Sequence, residues 1–139
     1  RRTSSRMRQR NIKYIVVHCT AGNQKATERD VLAEVKRKGW KQPGYHYLVT
    51  ADGKIHSLTA EAHVANGVYG YNQYCIHVAY TGGQDGTDTR TEEQKAGLRS
   101  VIQLLHRKYP DAAIQGHHDF PGVRKTCPNF DAKKEYINV

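Results

Sequence analysis

The sequence predicts an α/β fold: a single domain whose central mixed β-sheet is flanked by α-helices. Three observations carry this. Apolar runs of strand length alternate with two amphipathic stretches of helical period. The first and last of those runs read as buried strands. A chain of 139 residues can close one core without disulfide staples.

The first run, "IKYIVVH" (12–18), is apolar and β-branched, and the turn-formers of "CTAGNQ" end it, so a buried central strand delivers His18 to its C-terminal edge. "TERDVLAEVKRKG" (27–39) starts with a Thr27/Asp30 pair of capping-box type. It sets Val31, Leu32 and Val35 on one helical face and stops at Gly39. "YHYLV" (45–49) and "KIHSL" (54–58) flank an Asp52-Gly53 hairpin signal. "CIHVAY" (75–80) alternates like a further strand and is closed by Gly82-Gly83. The longest helix is expected over 91–110, with a Thr91/Gln94 capping box, a stripe of Leu98, Val101, Ile102 and Leu105, and Pro110 as its stop. "AAIQ" (112–115) is a short last strand, and the polar, Pro- and Gly-broken "GHHDFPGVRKTCPNF" (116–130) follows it as a loop.

The net charge of +9 is unevenly spread. Arg1, Arg2, Arg6, Arg8 and Arg10 supply five of those charges, so residues 11–139 carry 9 − 5 = +4. Residues 1–10 are therefore read as a basic tail and 11–139 as the domain. With neither a helix-turn-helix nor a zinc-finger or stacking motif, no specific nucleic-acid partner is expected, and a polyanionic envelope suits the modest excess equally well. No run approaches the roughly 18 apolar residues of a membrane span. The chain opens at Arg1, not at methionine, as expected of a processed or trimmed product, which leaves its compartment open. Three cysteines at irregular spacing (Cys19, Cys75, Cys127) argue against a disulfide framework, although a Cys19–Cys75 bridge stays open on sequence.

The first and last strands both end in histidine, His18 and then His117-His118. If these strands are parallel neighbours, their imidazoles converge where open α/β sheets collect ligands, and the loop carrying Cys127 is long enough to fold back over that edge. Two imidazoles and a thiolate favour zinc over magnesium or calcium, and three protein ligands leave a fourth position open. The plainer alternatives are a surface or satisfied core histidine and a small buried hydrophobe at Cys127. Spacing does not say which histidine of the pair faces inward.

Several motifs, in order, resemble the zinc-dependent N-acetylmuramoyl-L-alanine amidases, the type 2 amidases that share a fold with peptidoglycan recognition proteins: "VVHCTAG", "PGYHYLVTADGKI", "GYN" with "TGGQDG", "DTRTEEQKAGLRSVI", and "GHHDF" with "KTCPNFD". The resemblance spans nearly all of 12–131. It implies hydrolysis of the amide between N-acetylmuramic acid and the L-alanine of the stem peptide, with Zn²⁺ as cofactor and peptidoglycan as substrate. It further implies His18, His117 and Cys127 as metal ligands, Tyr45 and Lys125 as catalytic residues, and His63, Tyr71 and Asn72 as substrate contacts. Cys127 falls where many relatives carry aspartate. A cell-wall activity fits a periplasmic, secreted or phage-encoded cytoplasmic protein, and a monomer is expected. Two alternatives come with the resemblance: a non-catalytic peptidoglycan binder, and a polymerase-inhibiting partner of the kind a phage lysozyme of this type provides.

Two departures fall near the expected groove. The family's short His-Ala-x-Gly-Tyr-Asn segment is stretched by four residues to "HVANGVYGYN" (63–72), and its small Ser-Ile-Gly is "CIH" (75–77).

Overall fold

Strand β1 (Tyr14–Cys19) forms where β-branched residues are concentrated, and its side chains from Ile15 to Cys19 are all buried. A strand buried on both faces belongs inside a sheet with parallel neighbours. The computed structural model describes residues 10–139. Its remaining strands are β2 (Tyr47–Val49), β3 (Ile55–Ser57), β4 (Cys75–Tyr80) and β5 (Ala113–Gly116). Together they make one five-stranded sheet in the order β3-β2-β4-β1-β5. β1 runs parallel to both β4 and β5, β2 runs parallel to β4, and only the β2–β3 hairpin is antiparallel. The expected juxtaposition of first and last strands is thus present. Val17 pairs with Gly116, so His18 and His117 leave the ladder side by side.

Helix α1 (Glu28–Arg37) has its capping box: the Asp30 amide donates to Thr27 Oγ1 (3.1 Å) and the Thr27 amide to Asp30 Oδ2 (2.9 Å). Its apolar stripe, however, is not core. None of its residues is buried and Leu32 is 39% exposed, because Val31 and Val35 face an open groove, not the sheet. Helix α2 (Glu92–Lys108) is the reverse case, with Leu98, Val101, Ile102 and Leu105 all buried as the sequence expects. Gln94 is buried with them and stays satisfied by donating to the main-chain oxygens of Val49 (3.2 Å) and Thr81 (2.9 Å). A one-turn helix α3 (Ala132–Glu135) is signalled in the sequence by little more than its Asp131 cap and is not among the expected elements. It seats Ala132 and the following Tyr136 in the core.

β4 does not alternate: all six residues are buried, His77 included. Its second face is covered by the stretched segment, which buries Ala65 and Val68 and lays Gly67 flat against the His77 ring. A Cβ at Gly67 would sit 2.6 Å from His77 Nδ1.

Arg10, the last residue of the expected tail, is half-buried. Its guanidinium donates to the main-chain oxygens of Glu61 (2.8 and 3.1 Å), Asn72 (3.3 Å), Gln73 (3.1 Å) and Cys75 (3.1 Å). The other expected tail residues, 1–9, lie outside the described residues. All three cysteines are free thiols. Among the described residues no helix is long and apolar enough to cross a membrane.

Candidate metal centre and active site

β1 ends by placing His18 at 2% exposure. β5 runs directly into a single 3-10 turn, His117–Asp119, that turns His117 toward it. The two rings lie 4.8 Å apart at 61°. Cys127 reaches them from the following loop, and the ligand atoms of His18, His117 and Cys127 all fall within 4.8 Å of one another.

The loop is tied down on several sides. The Cys19 amide donates to Cys127 Sγ at 3.0 Å, and the His118 amide to the Cys127 carbonyl at 2.9 Å. Asn129 Nδ2 donates to the carbonyls of Gly83 and Thr87, each at 3.0 Å. Gly116 must lack a side chain here, since a Cβ would meet Pro128 Cδ at 2.7 Å. The histidine pair divides cleanly: His118 Nδ1 bonds the Thr126 carbonyl at 3.0 Å within its own loop, and His117 faces the cluster.

Two imidazole nitrogens and one sulfur, with no carboxylate in the cluster, are the donor set that suits zinc. Burial, then the neighbouring His77, His117 and Lys125, holds His18 well below the usual imidazole range; burial and Lys125 lower His117 as well. Neutral rings are the form that ligates a metal. The neighbouring Cys19 thiol, and then burial, push the Cys127 thiol up, against the smaller opposing pull of the Cys19 amide, while the Cys127 side chain brings Cys19 down. A divalent ion deprotonates a coordinating thiol outright, so these three donors fit zinc once the Cys127 proton is displaced.

Tyr45 is half-buried, with its ring 5.4 Å from that of His18 and its hydroxyl donating to the Cys19 carbonyl at 3.5 Å. Burial, and then the Cys127 and Cys19 sulfurs, push its phenol far up. Lys125 is exposed two residues before Cys127, and its charge is felt at His18, His117 and Cys127.

Residues 8–130 match the family model described as N-acetylmuramoyl-L-alanine amidase. The chain belongs to this amidase family. It is 32% identical over 124 residues to the endolysin of Enterobacteria phage K11, covering 85% of this chain and 81% of that one. The Ph2119 endolysin from a Thermus scotoductus bacteriophage superposes with a TM-score of 0.79 at 25% identity, over 91% of this chain and 84% of that chain. Drosophila PGRP-LB, at 17% identity, shares the fold with a TM-score of 0.74, over 94% and 82% of the two chains.

In this amidase the three expected substrate contacts occupy different surroundings. The His63 side chain is exposed, and its carbonyl bonds the His46 Nε2 at 2.8 Å. Tyr71 packs against Tyr14 (5.9 Å between ring centres) and Phe120 (4.8 Å) in a small apolar cluster. The Asn72 side-chain oxygen is engaged internally, by the Gly67 and Val68 amides and by His77. A groove of about 510 Å³ lies between α1 and the turn at 20–22; Val31 and Val35 line it on the helix side, and Tyr45 lines it too. Trp40, 53% exposed, stands on its rim.

From the sequence, His77 stands out only as a departure beside the groove. It is fully buried, its Nδ1 is 2.9 Å from His18 Nε2, and burial, with His46 and His117 adding, pushes it down to about 3. The available signal was an imidazole where a small residue was expected, on a strand adjacent to β1.

Proposed function

We propose that this amidase cleaves the amide between N-acetylmuramic acid and the L-alanine of the stem peptide in a zinc-dependent reaction, with the ion held by His18, His117 and Cys127. The observation that supports it most is the meeting of three donor atoms within 4.8 Å, from distant points of a chain in this family. Bound zinc supplies Lewis acidity, polarising a carbonyl and acidifying a water at neutral pH. The protein's own groups do the rest. Tyr45 keeps its proton and offers it as a hydrogen bond to the carbonyl oxygen as that oxygen gains charge. Lys125, a cation at the exposed rim, balances the same negative charge and favours the tetrahedral state over the planar amide. The buried imidazoles behind them keep bulk water away from the reacting carbonyl. The groove between α1 and the 20–22 turn receives the substrate's stem peptide.

The retained donor set favours catalysis over a purely binding role. The deciding experiment is digestion of purified peptidoglycan with and without a chelator, scoring new L-alanine amino termini against new reducing sugars. Amino termini that disappear on chelation and return with zinc are expected; amino termini indifferent to chelation would remove the zinc, and reducing sugars alone would remove the amidase.

A further inference from the structure

We propose that His77 is a positioning residue that dictates which ring nitrogen His18 presents to the metal, through a one-directional chain of hydrogen bonds anchored in the stretched segment 63–72. This rests on the zinc reading above.

The chain starts at Asn72. The main-chain amides of Gly67 and Val68 both point at one atom of its carboxamide, at 2.9 and 2.7 Å. Two N–H donors converge only on an acceptor, so that atom is the oxygen. The same oxygen lies 3.0 Å from His77 Nε2. Because it can only accept, Nε2 carries a hydrogen. A neutral imidazole has one N–H, which leaves Nδ1 of His77 as a lone pair. That lone pair is 2.9 Å from His18 Nε2, which therefore donates, and His18 is left with its lone pair on Nδ1.

The ring of His77 is held from every side. Its own main-chain amide donates to His46 Nδ1 at 3.0 Å, and the two rings stack at 14°. Gly67 presses on the ring where a Cβ would fall 2.6 Å from Nδ1. The ring is fully buried and the ionisable groups that act on it, His18, His46, His117 and Arg10, are all basic, so a main-chain bond with Ala65 is the one contact that favours a charged His77, and burial outweighs it. A charged His77 would donate from both nitrogens and reverse the bond to His18. The two sequence departures therefore meet at one ring: the "CIH" histidine is the acceptor, and the lengthened segment supplies the two amides that orient it.

The test has two arms. Imidazole ¹⁵N shifts of the native protein are expected to show His18 protonated at Nε2 throughout, with Nδ1 carrying no hydrogen in the metal-free protein and shifted by the metal in the zinc-loaded one. Competition against a chelator then measures zinc affinity. His77→Phe keeps a ring but no acceptor and is expected to bind zinc about 10- to 100-fold more weakly. His77→Asn, whose carboxamide oxygen accepts near the place of Nδ1, recovers most of that loss. Native zinc affinity in H77F, equal losses in H77F and H77N, or a hydrogen on His18 Nδ1 overturns the proposal. If the native protein takes up no zinc, the metal reading falls separately, and the shifts of the metal-free protein still decide the direction of the chain.

Discussion

The main-chain amide of Cys19 donates to the sulfur of Cys127 at 3.0 Å, joining the end of the first strand to a loop 108 positions further along the chain. The sulfur is thus aimed by the same strand that delivers His18. Cys127→Ala should fold but lose zinc, by more than the roughly 100-fold that removal of an outer hydrogen-bond partner costs. Cys127→Asp supplies an oxygen that zinc accepts and should retain metal and part of the turnover. Metal content by atomic absorption, alongside release of L-alanine amino termini, distinguishes the two variants.

Tyr45 and Lys125 flank the cluster without belonging to it. Tyr45→Phe and Lys125→Ala should each keep zinc and lose about 10²- to 10³-fold in turnover, the usual effect of removing one donor to a developing oxyanion. A variant with native kcat would take its residue out of the mechanism.

Arg10 gathers four main-chain oxygens from two separate segments under one guanidinium. Arg10→Ala leaves those half-buried carbonyls without their donor and should lower stability by about 2–3 kcal/mol. Urea unfolding checks this, and an unchanged midpoint would contradict the assignment.

The Arg90 side chain is 3% exposed, bonds Asp88 at 2.9 Å and Glu135 at 2.7 Å, and stacks 3.5 Å above the Phe130 ring. Burial pulls the Asp88 carboxyl up, but its hydrogen bonds with Arg90 outweigh that and hold it below the ordinary carboxylate range. A carboxyl depressed in the folded state contributes stability above its unfolded value, near about 4, and loses it as pH falls through the folded one. The urea midpoint should therefore drop between pH 7 and pH 3, and drop less in Asp88→Asn. An equal drop in both proteins would contradict the assignment.

Much of this was readable in the sequence because it is local. Two capping boxes, a β-branched run and an Asp-Gly turn are decided by neighbouring residues, and all appear where expected. The parallel pairing of β1 with β5, which the sequence offers only as a condition, is present, but the expected burial of the last strand is not: β5 is an edge strand with Ala113 exposed and Ile114 half-buried. What escaped depends on long-range covering. The stripe on α1 has the period of a core helix but borders a groove, and the apparent alternation of β4 vanished because a loop closes its second face. Neither Arg10 nor His77 announces its partners, which come from separate segments distant in the chain.

His18 and His117 stand at the ends of paired parallel strands, so their separation is a property of the inter-strand ladder and insensitive to the loops between them. The third donor has no such guarantee, because it rides on an irregular loop. Drift in the enzyme should consequently be tolerated over most of the intervening chain, and the chemical identity of the third ligand is where related proteins have room to diverge while the two imidazoles stay in step.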